Sequence, residues 1–321
     1  MKGEFGAPGA DVGDPHISTQ ASILPWHSCR IAPMPGFLSI KLSTLAALAV
    51  FAIFHVGMWV KSLWGKSGVG TPSVFELATG MVTNFFDTLG IGSFATTTSV
   101  FRFTRMVPDQ LIPGTLNVGH TLPVIFQAFL YISVIEVDFM TLGLMIASAT
   151  AGAWFGAGWV AALPRRKVQL GVGCALLAAF VAMLMTQLAL FPSGGAATGL
   201  TGGKLWFAVV VNGMIGAIST LGIGFYAPCM TLVSLLGMNP TAAFPIMMGS
   251  GAFLMPVASA RFVQREAYSP RVALGLTIGG LAGVPIAAFL VKSMPLSSVR
   301  WLVMAVVLYA ALTTLRSARN R

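Results

Sequence analysis

The sequence predicts an all-α polytopic membrane protein with about eight or nine hydrophobic segments in two homologous, inverted repeats. Three observations predict this fold class: the composition is apolar, the charges are confined to short groups, and one sequence pattern occurs twice. Of the 321 residues, 56% are hydrophobic and 9% are charged, whereas about a quarter of the residues in a soluble domain are charged. This chain has too few charges to form a solvated surface.

The uncharged runs are long enough to cross a lipid bilayer. No charged residue lies between Asp138 and Arg165, between Lys167 and Lys204, or between Lys204 and Arg261. A membrane-spanning helix requires about 20 apolar residues, so each run accommodates at least one span. We therefore expect membrane lipid to surround most of the chain.

The net charge of +10 does not indicate a nucleic-acid partner. The basic residues form no continuous face but occur in short groups between apolar runs, at 102–105, 165–167, 261–271 and 316–321. Such grouping is typical of cytoplasmic loops under the positive-inside rule. The sequence leaves open whether two copies form a homodimer.

One pattern of residues occurs twice, 131 to 133 residues apart. The segment at 88–95 reads TLGIGSFA and the segment at 220–227 reads TLGIGFYA. Further matches follow in the same order: 80–81 with 213–214, 142–144 with 274–276, and 151–152 with 282–283. We infer a duplicated chain with repeat 1 at 76–191 and repeat 2 at 205–317, joined by a linker at 192–204.

The residues before the repeats divide into two parts. A leading transmembrane helix is predicted at 37–66. Residues 1–36 contain Gly, Pro, Ser and charges of both signs, and they lack the apolar stretch behind a basic start that is typical of a signal peptide. We expect them to form a disordered N-terminal leader.

The uncharged run at 205–260 is too long for one crossing. If its first part, 205–236, crosses once, the basic groups at 165–167 and 261–271 lie on opposite sides of the membrane. If that part turns back at its Gly-Ile-Gly sequence, both groups lie on one side, as the positive-inside rule requires. We therefore predict three full spans and one re-entrant hairpin in each repeat, with Gly-kinked helices as the alternative.

The two Gly-Ile-Gly segments are the predicted substrate site. Irregular backbone at membrane depth persists only inside protein or against water, and paired glycines interrupt a helix. A helix that begins after such a break presents unpaired N–H groups and a partial positive charge, which bind an anion. Close helix packing is the alternative reason for such glycines. The predicted substrate-binding residues are Thr88, Gly90, Gly92, Ser93, Asn117, His120, Thr220, Gly222, Gly224, Tyr226 and Ser250.

Two of the residues near the first break are candidates for proton coupling. Asp87 is an acid well inside an apolar run, and a carboxylate within a membrane is costly and usually functional. His120 lies in an uncharged span, where an imidazole can transfer a proton near neutral pH. The alternatives are an Asp87 at the membrane surface and a structural His120. No metal or cofactor is predicted, because the acids, histidines and cysteines show no ligand spacing.

These segments resemble the sulfite exporter TauE/SafE family. The resemblance rests on Gly90-Ile91-Gly92 and on the stretches at 222–228 and 245–250, which match the Gly-rich motifs of the family, and it covers roughly 75–317. It implies a multi-pass transporter of small anions, many of them sulfur-containing, such as sulfite, thiosulfate or sulfoacetate, with proton coupling. We expect this permease to lie in the plasma (inner) membrane.

Other functions remain open from the sequence. A carrier predicts saturable flux, whereas an anion channel predicts flux that does not saturate, and a carrier of a non-sulfur organic anion would need similar donors. An intramembrane enzyme would need Ser250 to pair with His120, but Met248 stands where such serine enzymes have a glycine, so we predict that the chain is not an enzyme. A structural subunit would leave the polar residues at both breaks unexplained.

Overall fold

Long apolar helices alternate with pairs of shorter helices in the computed structural model, which describes residues 35–64, 69–161, 165–188, 195–219 and 225–319. The described helices are α1 (Pro35–Leu63), α2 (Val74–Thr88), α3 (Ser93–Thr104), α4 (Ile112–Val134), α5 (Phe139–Ala161), α6 (Arg165–Gln187), α7 (Gly202–Ser219), α8 (Tyr226–Leu235), α9 (Ala243–Gln264), α10 (Pro270–Ser293) and α11 (Leu296–Arg319). The leader predicted at 1–36 lies outside the described residues except for its last two, which belong to α1. The predicted linker is described from residue 195 onward.

Six of the described helical segments are long and apolar enough to cross a membrane. They are Lys41–Leu63, Ile112–Val134, Gly202–Ser219, Pro240–Gln264, Pro270–Ser293 and Ser297–Arg319. Helices α5 and α6 contain shorter apolar stretches, Phe139–Phe155 and Gln169–Met185. The predicted class, an α-helical multi-pass membrane protein, is therefore confirmed, while the count of eight or nine segments stays a prediction.

The order of helices recurs along the chain. Two shorter helices, α2 and α3, precede the long helices α4, α5 and α6, and the shorter α7 and α8 precede α9, α10 and α11. Each of α4, α5 and α6 begins 131 residues before its counterpart among α9, α10 and α11. This spacing agrees with the offset between the matching sequence segments.

The major helix pairs each join one helix from the first half to one from the second. Helix α2 packs on α10 and α7 packs on α5, while α4 pairs with α9 and α6 with α11. Small residues make these contacts close: a Cβ added at Gly279 would overlap the Leu77 carbonyl oxygen, and one at Gly152 would overlap that of Gly213. Such glycines let membrane helices approach along their backbones.

Both ends of the α2–α3 segment lie at the start of α10. Near the start of α2, Glu76 forms an ion pair of 3.2 Å with Arg271 in the first turn of α10. At the end of α3, Phe101 belongs to the same apolar cluster as Val272 and Leu276 of α10. The chain therefore reverses between α2 and α3 and returns to where it began.

Both ends of the α7–α8 segment lie at the start of α5. Before α7, the Thr198 carbonyl accepts a hydrogen bond of 2.8 Å from the Asp138 backbone N–H. After α8, the Asn239 backbone N–H donates to the Ala197 carbonyl, also at 2.8 Å. This second segment reverses in the same manner as the first.

The two reversing segments meet helix α4 at its opposite ends. The Ser269 backbone N–H, just before α10, donates to the Thr115 hydroxyl in the first turn of α4 at 2.9 Å. Helix α5, in contrast, begins only five residues after the end of α4. The ends of α2–α3 therefore lie at the start of α4, and the ends of α7–α8 lie at its end.

Candidate functional site

The first break is built by two glycines with left-handed backbone. Gly90 and Gly92 have φ angles of +93° and +92°, which L-residues with a Cβ rarely adopt. The Gly90 backbone N–H donates to the Asp87 carbonyl at 2.8 Å, which closes the last turn of α2. Helix α3 then begins at Ser93 in a new direction.

The Asp87 carboxylate occupies the start of α3. Its Oδ1 accepts a hydrogen bond of 2.6 Å from the Ser93 backbone N–H, and its Oδ2 accepts one of 3.0 Å from the Gln127 side-chain amide. The Tyr226 hydroxyl also hydrogen-bonds to this carboxylate. Asp87 is 1% exposed, so its charge faces neutral donors and the positive end of a helix rather than water.

Gln127 and Tyr131 of α4 hold the end of α2. The Gln127 amide donates to the Thr88 hydroxyl at 3.0 Å, and the Tyr131 hydroxyl donates to the Thr88 carbonyl at 2.8 Å. The Thr88 hydroxyl itself donates to the Asn84 carbonyl at 2.7 Å. Because the Thr88 hydroxyl proton is donated to Asn84, the Thr88 oxygen must accept the bond from Gln127. This assignment fixes the orientation of the Gln127 amide.

His120 connects α2 and α3 from the same face of α4. Its Nδ1 lies 3.1 Å from Asn84 Oδ1, and its Nε2 lies 3.0 Å from the Thr97 hydroxyl. The Asn84 amide nitrogen donates to the Gly80 carbonyl at 2.8 Å, so its oxygen faces the imidazole. An amide oxygen only accepts, which assigns a proton to His120 Nδ1 and leaves Nε2 to accept from Thr97 in the neutral ring.

Residues of the second half approach the first break directly. A Cβ added at Gly90 would lie 2.7 Å from Met230 Cε of α8 and 3.4 Å from Met247 Cε of α9. Tyr226, the first residue of α8, supplies the hydroxyl that reaches Asp87. The first break therefore lies where the two halves meet. Three predicted site residues of the second break lie outside the described part of the chain: Thr220, Gly222 and Gly224.

The remaining predicted site residues lie outside this network. Asn117 is partly exposed, and its amide donates to the Pro113 carbonyl one turn earlier at 2.9 Å. Ser250 is buried, and its hydroxyl donates to the Ile246 carbonyl of its own helix at 2.7 Å. A Cβ on Gly92 would meet nothing within 4 Å in the described part of the chain beyond its own neighbours in sequence.

The serine–histidine pair considered for an intramembrane enzyme is not formed. The Ser250 hydroxyl is directed at its own helix, and both ring nitrogens of His120 face Asn84 and Thr97. Ser250 and His120 therefore do not form a catalytic pair.

Gln127 and Tyr131 are the residues that sequence reasoning missed. They follow His120 by seven and eleven positions, which places all three on one face of a helix. This spacing is the signal that could have found them once His120 was chosen as a site residue. Asp87, Thr88, Ser93 and His120, which were predicted, are brought into one network.

Comparison with known families identifies the chain. A family model described as sulfite exporter TauE/SafE matches residues 74–314, a region that includes both Gly-Ile-Gly segments. Comparison with curated proteins and with solved structures gave no match. Since the family model covers most of the chain, this multi-pass membrane protein belongs to the sulfite exporter TauE/SafE family, whose members transport sulfur-containing anions across membranes.

Proposed function

We propose that the protein is a secondary transporter that carries a small sulfur-containing anion together with a proton across the plasma membrane. Sulfite, thiosulfate and sulfonates such as sulfoacetate are the expected substrates. The main support is the buried Asp87 carboxylate, which accepts a hydrogen bond from the first backbone N–H of α3. This contact lies where the two halves of the chain meet.

The two halves act as inverted repeats with re-entrant hairpins. The support is the position of the hairpin ends: those of α2–α3 adjoin the start of α10, near Thr115, and those of α7–α8 adjoin the start of α5, near Asp138. Hairpins that enter from opposite sides are typical of secondary transporters built from inverted repeats, whose substrate sites lie near mid-membrane. The Asp87 network lies where these hairpins meet.

The end of the molecule that holds the start of α10 faces the cytoplasm. The support is the charge distribution, because positive charge accumulates in cytoplasmic loops. The basic residues assigned to this end are Lys61, Arg105, Arg166, Lys167, Arg261, Arg265, Arg271, Arg316 and Arg319, whereas Lys41, Lys204, Lys292 and Arg300 belong to the opposite end.

A substrate anion and the ionised Asp87 compete for the same donors. The Ser93 N–H, the Gln127 amide and the Tyr226 hydroxyl all donate to the carboxylate. A proton on Asp87 removes its negative charge and weakens it as an acceptor. The same groups can then donate their hydrogen bonds to a substrate anion, so that the proton and the anion bind together.

Burial of the network favours a carrier over a channel. Asn84, Thr88, Thr97 and His120 are all fully buried, so an anion reaches Ser93 only when a hairpin moves. Transport that depends on such a movement saturates with substrate concentration and follows alternating access.

Flux into proteoliposomes tests this function. We expect saturable uptake of sulfite, thiosulfate or sulfoacetate, driven by an imposed pH gradient and exceeding that of lactate. Asp87→Asn should abolish the response to the pH gradient, because this side chain no longer binds and releases a proton. Glu136→Gln, at an exposed acid between α4 and α5, is the matched control and should transport normally.

Two outcomes contradict the proposal. Gradient-driven uptake that is unchanged in Asp87→Asn would remove Asp87 from the coupling mechanism. Well-folded wild-type protein that moves none of these anions would remove the substrate assignment.

A further inference from the structure

A groove of about 650 Å³ lies between α1, α5 and α9, away from the Asp87 network. Its walls are almost entirely apolar, and the principal side chains are Phe51, Leu142, Ile146, Phe155, Phe253 and Val257. Phe51 of α1 and Phe253 of α9 meet edge to face, with ring centroids 5.2 Å apart. An apolar groove along helices that span the membrane is open to acyl chains rather than to water.

The groove is long enough for one lipid chain. Its lining on α5 extends from Leu142 to Phe155, which is about 20 Å at the helical rise of 1.5 Å per residue. Half of the hydrocarbon core of a bilayer is about 15 Å thick. Phe155, at one end of the groove, is 78% exposed, so the groove opens sideways toward lipid.

One end of the groove carries a positive charge. The Arg261 guanidinium lies 5.5 Å from the ring centroid of Trp154, a residue that lines the groove. The ring holds the cation by a cation–π contact. Within the described part of the chain no acidic side chain forms an ion pair with Arg261. The guanidinium is therefore fixed at the basic end of the molecule and keeps donors for an anionic group.

We propose that this groove binds an anionic phospholipid of the surrounding membrane, with an acyl chain along α5 and the headgroup phosphate on Arg261. A guanidinium suits a phosphate because it offers several N–H donors in one plane. Basic pockets between membrane helices on the cytoplasmic side bind anionic headgroups by this chemistry. The lipid would rest on α9, whose Gly251 lies close to the Tyr226 hydroxyl on its inner side.

Quenching of Trp154 tests the lipid site. The purified full-length chain in mild detergent is titrated with phosphatidylglycerol or phosphatidylcholine that carries dibrominated acyl chains, and the emission of Trp154 is isolated by subtracting the emission of Trp154→Phe. We expect Arg261→Gln to raise the phosphatidylglycerol concentration for half-quenching about fivefold. Arg265→Gln, one turn further along and without the Trp154 contact, is the matched control and should behave like wild type.

A second variant blocks the groove without changing charge. Ala147 lines the groove and is exposed, so Ala147→Phe fills it from the lipid side without disturbing the core and without adding another tryptophan. We expect this variant to lose quenching of Trp154 by both lipids and to retain fewer phosphatidylglycerol molecules in native mass spectrometry.

Three results would overturn the lipid site. The first is an equal half-quenching concentration in wild type and Arg261→Gln. The second is equal affinity of the wild type for the two lipids. The third is efficient cross-linking of Phe155→Cys between copies in liposomes, which would make this groove an interface between two copies of the chain.

Discussion

Gln127 is one of the residues that join the two sides of the first break. A single amide nitrogen serves both Asp87 and Thr88, so this side chain binds the carboxylate that caps α3 and the last residue of α2 together. Its amide oxygen is buried and has no hydrogen-bond partner among the residues that the structure describes. A buried acceptor without a hydrogen bond lowers the stability of the fold unless a donor binds to it.

Replacing Gln127 by Leu should therefore impair both folding and transport. The change removes one of the donors to Asp87 and leaves the hydroxyl oxygen of Thr88 without its donor, and a buried group left unsatisfied costs about 1–3 kcal/mol. We expect a lower melting temperature together with loss of anion uptake in proteoliposomes. Asn117→Leu is the control for the melting temperature, because the Asn117 amide donates to a carbonyl of its own helix. Equal losses in the two variants would show that Gln127 has no special role at the break.

At the scale of single residues, sequence reasoning works where a residue type is rare. An acid in an apolar run and a histidine in an uncharged span are conspicuous, so the sequence predicts Asp87 and His120 as site residues. Gln127 and Tyr131 become conspicuous only when the helix face that carries His120 is known. Ser93 was predicted to offer a free N–H to a substrate, but Asp87 already takes it. The Gly-Ile-Gly pattern predicts that the chain turns at this point, but it does not predict that the turn brings the Ser93 N–H onto the Asp87 carboxylate.

Close packing between helix elements depends on which glycines face a neighbouring backbone. Gly279 of α10 lies against the Leu77 carbonyl of α2, whereas a Cβ on Gly57 of α1 would meet no other described part of the chain within 4 Å. The same substitution should therefore have opposite effects at the two sites. The α2–α10 contact holds the first hairpin in place, so it also positions Asp87.

We expect Gly279→Ala to destabilise the protein by about 1–3 kcal/mol, since the added methyl group forces α2 and α10 apart. Gly57→Ala should stabilise α1 by up to about 1 kcal/mol, because alanine is the better helix former. Thermal unfolding in detergent measures both. A Gly279→Ala variant as stable as Gly57→Ala would show that α2 and α10 do not pack through this glycine.

At the scale of the whole molecule, the duplicated sequence predicts more than any single element does. The matching segments predict that α9, α10 and α11 repeat α4, α5 and α6 at a fixed offset, which the helix boundaries follow. They do not predict that α2 packs on α10 and α7 on α5. Those pairings depend on the close contact of Gly152 and Gly279 with particular backbone carbonyls. A pattern of apolar residues does not show which glycine contacts which carbonyl.

The arrangement of the hairpins leads to a prediction about the accessibility of the whole chain. In a protein whose own cysteines (Cys29, Cys174 and Cys229) are replaced, single cysteines at Thr71 and Pro108 flank α2–α3, and those at Ala196 and Asn239 flank α7–α8. We expect a membrane-impermeant maleimide on intact cells to label Ala196→Cys and Asn239→Cys and to label Thr71→Cys and Pro108→Cys only after permeabilisation. This pattern follows because each hairpin returns to the side from which it enters, and because positive charge faces the cytoplasm. Labelling of Thr71→Cys and Pro108→Cys from opposite sides would mean that α2–α3 crosses the membrane, and the repeats would then not be inverted.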